Sequence, residues 1–253
     1  MLVDTHCHIF KEYYDDIESV IERANDAGVR ALIVNGVDRK SNEEILELVK
    51  KYDIVYGTLG IQPEEVSKCN DEDLEFILEL INDEKIVALG EIGLDYHYEC
   101  DKELQKKVFL KQLDIAKKYN KPVIVHSRDC IYETYNILKD YDLRGIMHCY
   151  SGSVEMAKKF NEIGFLLGIG GIATFKNAVK MVEVIKNIDL EYIVTETDSP
   201  YLSPEPYRGK KNEPQNVQII VDKICDIKGL ERNLVCDTLG SNACRLFDKQ
   251  IDL

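Results

Sequence analysis

The chain begins Met1-Leu2-Val3-Asp4-Thr5-His6-Cys7-His8, an apolar start that leads into two histidines one residue apart. An apolar start of this kind is typical of a buried strand. In an extended strand, residues two apart point the same way, with their Cα atoms roughly 7 Å apart. His6 and His8 are therefore predicted to aim both imidazoles at one point. Neutral imidazole suits zinc, iron, nickel and copper, and a carboxylate partner widens the choice to manganese or magnesium. The alternative is that two polar residues simply close a strand.

Length and charge limit the classes of function. The chain has 253 residues, which suits one α/β barrel as well as two smaller domains. Its formal net charge of −14 gives no overall attraction to nucleic acid, so a polyanionic substrate would need a local positive site. No apolar run approaches the ~20 residues of a membrane span, and no basic-then-apolar leader precedes the first strand. We therefore expect a soluble, cytoplasmic protein with no membrane partner.

The cysteines do not form a recognisable framework. No two of them make a Cys-x-x-Cys pair, and several lie in apolar stretches, where free cysteine behaves as a small hydrophobe. We expect free thiols in a reducing compartment rather than disulfides or a zinc knuckle. The eight are Cys7, Cys69, Cys100, Cys130, Cys149, Cys225, Cys236 and Cys244.

Short apolar segments alternate with amphipathic ones along the whole chain. The first predicted strand starts at residues 1–3, and the others lie near residues 29–34, 54–59, 86–89, 122–125, 145–147, 165–168 and 192–195. Each is followed by a segment with helical spacing of apolar residues, which indicates a parallel sheet. Eight such units close a (β/α)₈ TIM barrel, and no linker divides the chain, so we predict one α/β domain over residues 1–253. A doubly wound open sheet is the alternative, but no Gly-x-Gly-x-x-Gly follows the first strand.

Side chains that bind metals collect at the ends of the predicted strands. In a closed barrel these ends surround one mouth, so six such side chains converge from five strands. A catalytic zinc ion typically keeps three protein ligands, whereas six suit two cations about 3.5–4 Å apart that share a carboxylate. The six are His6, His8, Glu91, His126, His148 and Asp198.

Glu91 is the predicted shared carboxylate. It lies between the first histidines and the later ones in chain order, and Gly90 and Gly93 beside it allow close approach of the backbone. Asp95 either accepts a hydrogen bond from a histidine or is a turn residue. We expect His97 to be a loop histidine.

Six segments resemble, in order, the TatD family of metal-dependent deoxyribonucleases. They are Asp4-Thr5-His6-Cys7-His8, Gly90-Glu91-Ile92-Gly93-Leu94-Asp95-Tyr96, His126-Ser127-Arg128-Asp129, His148-Cys149-Tyr150-Ser151-Gly152, Glu196-Thr197-Asp198-Ser199-Pro200-Tyr201-Leu202 and Tyr207-Arg208-Gly209-Lys210-Lys211-Asn212-Glu213-Pro214. The resemblance spans nearly the whole chain. It implies a TIM barrel of the amidohydrolase-like group, with a two-metal site that hydrolyses phosphodiesters.

The resemblance also implies roles for individual residues. One divalent ion would be held by His6, His8, Glu91 and Asp198, and the other by Glu91, His126 and His148. The ions would be magnesium, manganese or zinc. Asp198 and Glu91 are the expected catalytic residues, with Asp198 accepting the proton of a water that the two metals activate.

One segment departs from the family pattern. Gly60-Ile61-Gln62-Pro63 stands where the family usually reads Gly-Ile-His-Pro, and the family histidine is thought to face the substrate phosphate. Gln62 can donate a hydrogen bond but carries no charge. Arg128 and Arg208 are further candidate phosphate ligands, and Lys210 is equally well read as a surface charge.

Four tyrosines lie near strand ends, where a base could stack on them, although ordinary packing also accounts for such residues. They are Tyr96, Tyr98, Tyr150 and Tyr201.

Three functions are compatible with these sequence patterns. The first is a deoxyribonuclease, a 3′–5′ exonuclease acting on single-stranded DNA or DNA ends. The second is a hydrolase that uses the same metals on another ester or amide, or on an aminoacyl-RNA ester. The third is a metal-stabilised binding protein, which an open two-metal site disfavours because structural zinc is four-coordinate and closed. The sequence does not fix the oligomeric state, and we favour a monomer.

Overall fold

The strands form one parallel sheet in chain order. The computed structural model of the protein describes residues 1–97, 99, 101–248, 250 and 251. In that part of the chain the strands are β1 (Leu2–Cys7), β2 (Val29–Asn35), β3 (Val55–Leu59), β4 (Ile86–Asp95), β5 (Val123–Arg128), β6 (Gly145–Met147), β7 (Phe165–Ile169) and β8 (Ile193–Thr195). Each strand pairs in parallel with the next. The predicted TIM barrel is confirmed.

Helices connect the strands and cover the outside of the barrel. They are α1 (Ile17–Asp26), α2 (Arg39–Lys51), α3 (Asp71–Leu80), α4 (Lys102–Tyr119), α5 (Ile131–Leu138), α6 (Val154–Glu162), α7 (Val179–Asn187), α8 (Val217–Lys228) and α9 (Arg232–Leu246). Several begin at a residue whose side chain accepts an N–H of the first turn, among them Asp16, Asp38, Asn70 and Ser153. Within the described residues, no helix combines the length and apolarity needed to cross a bilayer.

Side-chain hydroxyls close the barrel between its first and last strands. The Oγ1 of Thr5 donates to the carbonyl of Thr195 at 3.0 Å, and the Oγ1 of Thr195 donates to the carbonyl of Val3 at 3.1 Å. Farther toward the mouth, the backbone N–H of His8 donates to the carbonyl of Ser199 at 2.7 Å. This nearly closed seam brings the two ends of the sheet together at the mouth.

One group of buried side chains fills the inside of the barrel, and every strand contributes to it. The end of α9 completes this group and covers the amino-terminal ends of the strands. It consists of Val3, Ala31, Ile33, Tyr56, Val87, Ala88, Ile124, Ile146, Leu166, Val194, Ala243, Leu246, Phe247 and Ile251. Apolar residues fill the amino-terminal end, and the carboxyl end of the barrel offers polar side chains a common space.

Several strands extend farther than the apolar runs predicted. β1 continues to Cys7, β4 to Asp95 and β5 to Arg128, so His6, Glu91 and His126 lie inside strands rather than after them. The ladder continues because its hydrogen bonds belong to the backbone, while the side chains at the mouth are polar.

Three buried amide side chains hold the ends of β3 and β4. Each donates to a backbone carbonyl and accepts from the backbone N–H of the same residue, as a neighbouring strand would. The pairs are Asn42 with Gly60, Gln112 with Ile61 and Gln105 with Asp95.

The described cysteines are all free thiols, as expected: Cys7, Cys69, Cys130, Cys149, Cys225, Cys236 and Cys244. The eighth, Cys100, lies outside the described residues, and so does the candidate stacking residue Tyr98.

Candidate metal centre

His6 and His8 converge at the mouth as the strand alternation predicts. Their Nε2 atoms are 3.0 Å apart. They lie 3.3 Å and 3.6 Å, respectively, from Oε2 of Glu91. All three side chains are buried. Two imidazole nitrogens and a carboxylate oxygen that face one point match the donor set of a divalent transition metal.

Asp198 joins this group from beyond β8. Its Oδ1 is 3.8 Å from Nε2 of His6 and 3.6 Å from Nε2 of His8. Its backbone has a φ of 54°, in the left-handed region, and its N–H donates to the carbonyl of His6 at 2.9 Å. The seam between β1 and β8 therefore places Asp198 opposite the two histidines.

Glu91 turns its two oxygens toward different histidines. Oε2 faces His6, whereas Oε1 lies 2.9 Å from Nδ1 of His126. Glu91, His126 and His148 form a second group whose ligand atoms lie within 4.8 Å of one another. The imidazole of His148 stacks on that of His6 with ring centroids 3.5 Å apart. All six predicted side chains thus meet at one mouth, in two groups that share Glu91.

Further groups orient two of the histidines, His126 and His8. Nε2 of His126 lies 2.8 Å from Oδ2 of Asp95. Asp95 is therefore a hydrogen-bond partner of a histidine, the first of its two predicted roles. Nδ1 of His8 lies 2.9 Å from the carbonyl of Asn35. In each case the outer contact leaves the other ring nitrogen facing the centre.

Glu196 is a residue of the centre that the sequence reasoning missed. It is fully buried, and its Oε1 lies 3.0 Å from Nδ1 of His148 and accepts the N–H of Cys149 at 2.6 Å. Gly168 makes room for it, since a Cβ there would lie 2.2 Å from Oε2 of Glu196. A signal was present: Glu196 stands two residues before Asp198, the same spacing that singles out His6 and His8.

In the absence of a cation, burial and neighbouring carboxylates shift the pKa values of the histidines in opposite directions. Burial alone would lower the pKa of His126, but its contacts with Asp95 and Glu91 outweigh burial and raise the pKa to about 10. For His148, burial is outweighed by the charge and contact of Glu196, and the pKa rises to about 9. Burial and the nearby charge of His148 lower the pKa of His6 to about 4.

The carboxylates of Glu91 and Asp198 are held in their ionised form. Burial would raise the pKa of Glu91, but contacts with His126 and His6 hold it well below the usual range. Burial also opposes ionisation of Asp198, and its contact with His8 and the charges of His148 and His6 lower its pKa. Two ionised carboxylates and four imidazoles in reach of each other fit a pair of divalent cations.

The candidate substrate residues take different positions. Gln62 follows β3, is half-buried, and donates its backbone N–H to the carbonyl of Val37 at 2.9 Å. Arg128 ends β5 and has an exposed side chain. The pairing of β4 with β5 sets its Cα opposite that of Asp95. The guanidinium of the exposed Arg208 lies over the ring of Phe175, 4.4 Å from its centroid. This contact places Arg208 against the segment that follows β7, at the carboxyl end of the barrel.

Among the described candidate tyrosines, Tyr201 is the exposed one beside the centre. It is 49% exposed, and its ring centroid is 6.4 Å from that of His8. Its hydroxyl donates to that of Tyr13 at 3.0 Å. Tyr150, by contrast, is buried and donates to the carbonyl of Ser153. His97 is a loop residue, with its Nδ1 2.9 Å from Oδ2 of the exposed Asp129.

Comparisons with known proteins identify the family of this chain. The family described as TatD related DNase matches residues 3–248. The uncharacterized metal-dependent hydrolase YabD of Bacillus subtilis is 42% identical over 98% of this chain and 99% of its own length. The uncharacterized metal-dependent hydrolase MJ1582 of Methanocaldococcus jannaschii is 40% identical over 98% of both. The crystal structure of YjjV, a TatD homologue from Escherichia coli, superposes with a TM-score of 0.93, at 32% identity and 98% coverage of both chains. The chain therefore belongs to the TatD family of metal-dependent hydrolases.

Proposed function

We propose that this hydrolase cleaves phosphodiester bonds of DNA with two divalent cations, as a 3′–5′ exonuclease acting on single strands or ends. The placement of Glu91 carries the proposal. Its Oε2 lies 3.3 Å from Nε2 of His6 and its Oε1 2.9 Å from Nδ1 of His126. A carboxylate so placed can bridge two cations, and a pair about 3.5–4 Å apart is the arrangement of many phosphatases and nucleases.

The proposed ligand sets follow the two groups of side chains. His6, His8, Glu91 and Asp198 would hold one cation, and Glu91, His126 and His148 the other. Magnesium, manganese and zinc are the candidate metals. Two such cations carry four positive charges and the two carboxylates return two negative ones. The mouth would thus attract a phosphate although the whole chain has a net charge of −14.

Asp198 is the proposed base. When bound, the cations would lower the pKa of a coordinated water from 15.7 toward ~7 and stabilise negative charge on the phosphate oxygens. Contact with His8 and the charges of His148 and His6 lower the pKa of Asp198, so its carboxylate is ionised and can accept the proton of the attacking water. It can then return that proton to the leaving oxygen as the P–O bond breaks. Arg128 and Arg208 would bind phosphate oxygens along the substrate.

The aromatic residues at the mouth favour a nucleic acid over a small phosphodiester. Tyr201 exposes half of its side chain within 6.4 Å of a proposed metal ligand, His8. A base that stacks on such a ring gains about 1–3 kcal/mol without regard to sequence. A barrel mouth also admits the end of a chain more easily than the middle of a duplex.

A comparison of substrates tests this proposal. Metal-loaded protein is incubated with linear single-stranded DNA, the same DNA closed into a circle, blunt duplex DNA and methyl p-nitrophenyl phosphate. We expect stepwise shortening of the linear strand from its 3′ end, slower cleavage of the duplex ends and no cleavage of the circle. Tyr201→Ala should raise KM for DNA but not for the small diester. Tyr132→Ala removes another exposed tyrosine, on α5, and serves as the control. Cleavage of the small diester without cleavage of any DNA would contradict the nuclease.

Gln62 favours a second candidate function. It stands where the TatD pattern has a histidine that faces the phosphate, and an amide supplies neither the charge nor the proton of a histidine. A site adapted to another ester or amide, or to an aminoacyl-RNA ester, would tolerate this change. Hydrolysis of such substrates by protein inactive on every DNA form would favour this candidate.

A further inference from the structure

Cys149 belongs to a group of metal-type ligands that the two proposed sets do not use. The ligand atoms of His148, Cys149 and Asp198 all lie within 4.8 Å of one another. Nε2 of His148 is 3.8 Å from Oδ1 of Asp198. His148 and Asp198 belong to different proposed cations, so the thiol stands on the side of the centre where the two sets meet.

Hydrogen bonds fix the backbone on both sides of this thiol. The N–H of Cys149 donates to Oε1 of Glu196 at 2.6 Å, and its φ is 44°, in the left-handed region. The N–H of His148 donates to the carbonyl of Val125 at 2.9 Å, and that of Tyr150 donates to the carbonyl of Gly168 at 3.0 Å. The side chain can therefore adjust only by rotation about χ1.

The thiol lies close to the position needed to share a cation with His148. Zinc binds sulfur at about 2.3 Å and nitrogen at about 2.0 Å, so two such ligands in a tetrahedral site are roughly 3.5 Å apart. The three ligand atoms lie within 4.8 Å of one another. The sulfur and the nitrogen therefore need to approach each other by no more than about one ångström. Other described thiols are engaged elsewhere: Cys7 donates to the carbonyl of Ile33 and Cys130 to that of Leu94.

We propose that Cys149 Sγ is a further ligand of the metal centre, on the side of His148 and Asp198, and selects thiophilic cations such as zinc and cobalt over magnesium. The inference rests on the two-metal site of the proposed function. On binding, the S–H bond breaks, the proton passes to solvent and an Sγ–metal bond forms without oxidation. Soft thiolate favours zinc, whereas magnesium prefers oxygen ligands and keeps several waters.

A role as nucleophile fits this thiol less well. Burial and the charges of Asp198, Glu196 and Glu91 raise the pKa of the Cys149 thiol well above its usual value. A thiol that stays protonated without a cation is a poor nucleophile. A bound cation removes this obstacle to coordination, because a coordinating thiol is deprotonated outright.

Cobalt spectroscopy on the full-length protein tests the proposal without an activity assay. Metal-free wild type, Cys149→Ser and Cys69→Ser are titrated with Co²⁺, and their visible and near-ultraviolet spectra are recorded. Cys69 is a half-buried thiol at the start of α3 and serves as the control. Competition then gives the affinities of each protein for zinc and magnesium.

Wild type and Cys69→Ser should show a near-ultraviolet thiolate-to-cobalt band together with visible bands, and Cys149→Ser should show the visible bands alone. Cys149→Ser should also lose at least about tenfold in zinc affinity and less than about twofold in magnesium affinity. Visible bands without the thiolate band in wild type would overturn the role of Cys149 and leave the metal centre intact. Absence of cobalt binding in all three proteins would overturn the metal centre itself and the inference with it.

Discussion

Asp198 combines two properties that a metal ligand and a base require. It is held ionised by the surrounding histidines, and a backbone hydrogen bond to His6 fixes its position across the seam. Both properties are present before substrate binds. We therefore expect replacement of the Asp198 carboxylate to lower kcat.

Asp198→Asn should lower kcat about 10²–10⁴-fold, the usual contribution of a positioned base. Binding of a cation by Glu91, His126 and His148 should persist, because that group does not include Asp198. Steady-state kinetics with metal analysis of the same samples measures both. Asp129→Asn, which changes an exposed carboxylate beside His97, is the control. Near-normal turnover in Asp198→Asn would remove it from the role of base.

Gln62→His restores the residue that the TatD pattern leads us to expect. A histidine there would be protonated below its ordinary pKa of about 6.5 and would bind a phosphate oxygen more strongly than an amide does. Hydrogen bonds to charged groups contribute about 1.5–3 kcal/mol against about 1 for neutral pairs, so we expect roughly tenfold higher activity on DNA at mildly acidic pH. A pH profile of both proteins measures it. No gain at any pH, with metals still bound, would favour the second candidate function.

At the scale of single residues, the sequence predicted the side chains that converge but not Glu196, which supports His148. His6, His8 and Asp198 could be found because strand alternation and barrel closure determine where they point. Glu196 contacts His148 across β7, through space that Gly168 leaves open. That contact depends on the packing of three strands, which no spacing within one segment reveals.

At the scale of secondary-structure elements, β7 contributes space rather than ligands. A Cβ at Gly168 would meet Oε2 of Glu196 at 2.2 Å, whereas at Gly170 the nearest atom is Cγ of Glu196, at 3.7 Å. Glu196 is fully buried and cannot move out to solvent.

Gly168→Ala should therefore lower the free energy of unfolding by about 1–3 kcal/mol, the usual cost of overpacking a core. It should also weaken metal binding, because the partner of His148 is displaced. Gly170→Ala, on the same side of the barrel, should change neither by a measurable amount. Chemical denaturation and metal titration of the two variants make the comparison. Equal stability of the two variants would show that Glu196 does not need the space at Gly168.

The extent of the elements was predicted less well than their order. Apolar runs marked where β4 and β5 begin, but the backbone ladder continues to Asp95 and Arg128, where the side chains are already polar. The amide side chain of Gln112, which holds Ile61 just before Gln62, reads in the sequence as an ordinary helix residue. Its role depends on how α4 packs against the end of β3.

At the scale of the whole molecule, two cations should stabilise the fold. Metal-free protein titrated with Mn²⁺ or Zn²⁺ should saturate near two ions per chain. Free metal at 100 times Kd adds about 2.7 kcal/mol to the free energy of unfolding for each site. Each occupied site should therefore raise Tm by roughly 5–10 °C in a chain of this size. Calorimetry with and without chelator measures the rise. Saturation at one ion, with Glu91→Ala harmless, would contradict the two-metal centre.

Metal binding should also release protons. The raised pKa values of His126 and His148, about 10 and about 9, keep both protonated at neutral pH without a cation, whereas a ligand must be neutral. Titration calorimetry with Mn²⁺ at pH 7, in buffers of different ionisation enthalpy, should show about two protons released per chain. Zero release would mean that these histidines are already neutral.

The same two histidines give the metal-free fold a pH dependence. A histidine whose pKa is raised on folding contributes its full stabilisation at pH values below its unfolded pKa of about 6.5. This contribution is lost as the pH rises through the folded pKa values of about 9 and about 10. Metal-free protein should thus lose stability over this window, while its affinity for cations increases.

The seam between β1 and β8 has a consequence for how the protein is made. A ribosome adds His6 and His8 long before Asp198, which faces them across the seam and comes 190 residues after His8. A growing chain therefore exposes the two histidines long before it contains their carboxylate partner, and no truncated product that ends before β8 can close the barrel. The proposed site for the first cation can assemble only after Asp198 has been added. Capture of that cation would then mark a chain in which β1 and β8 have met.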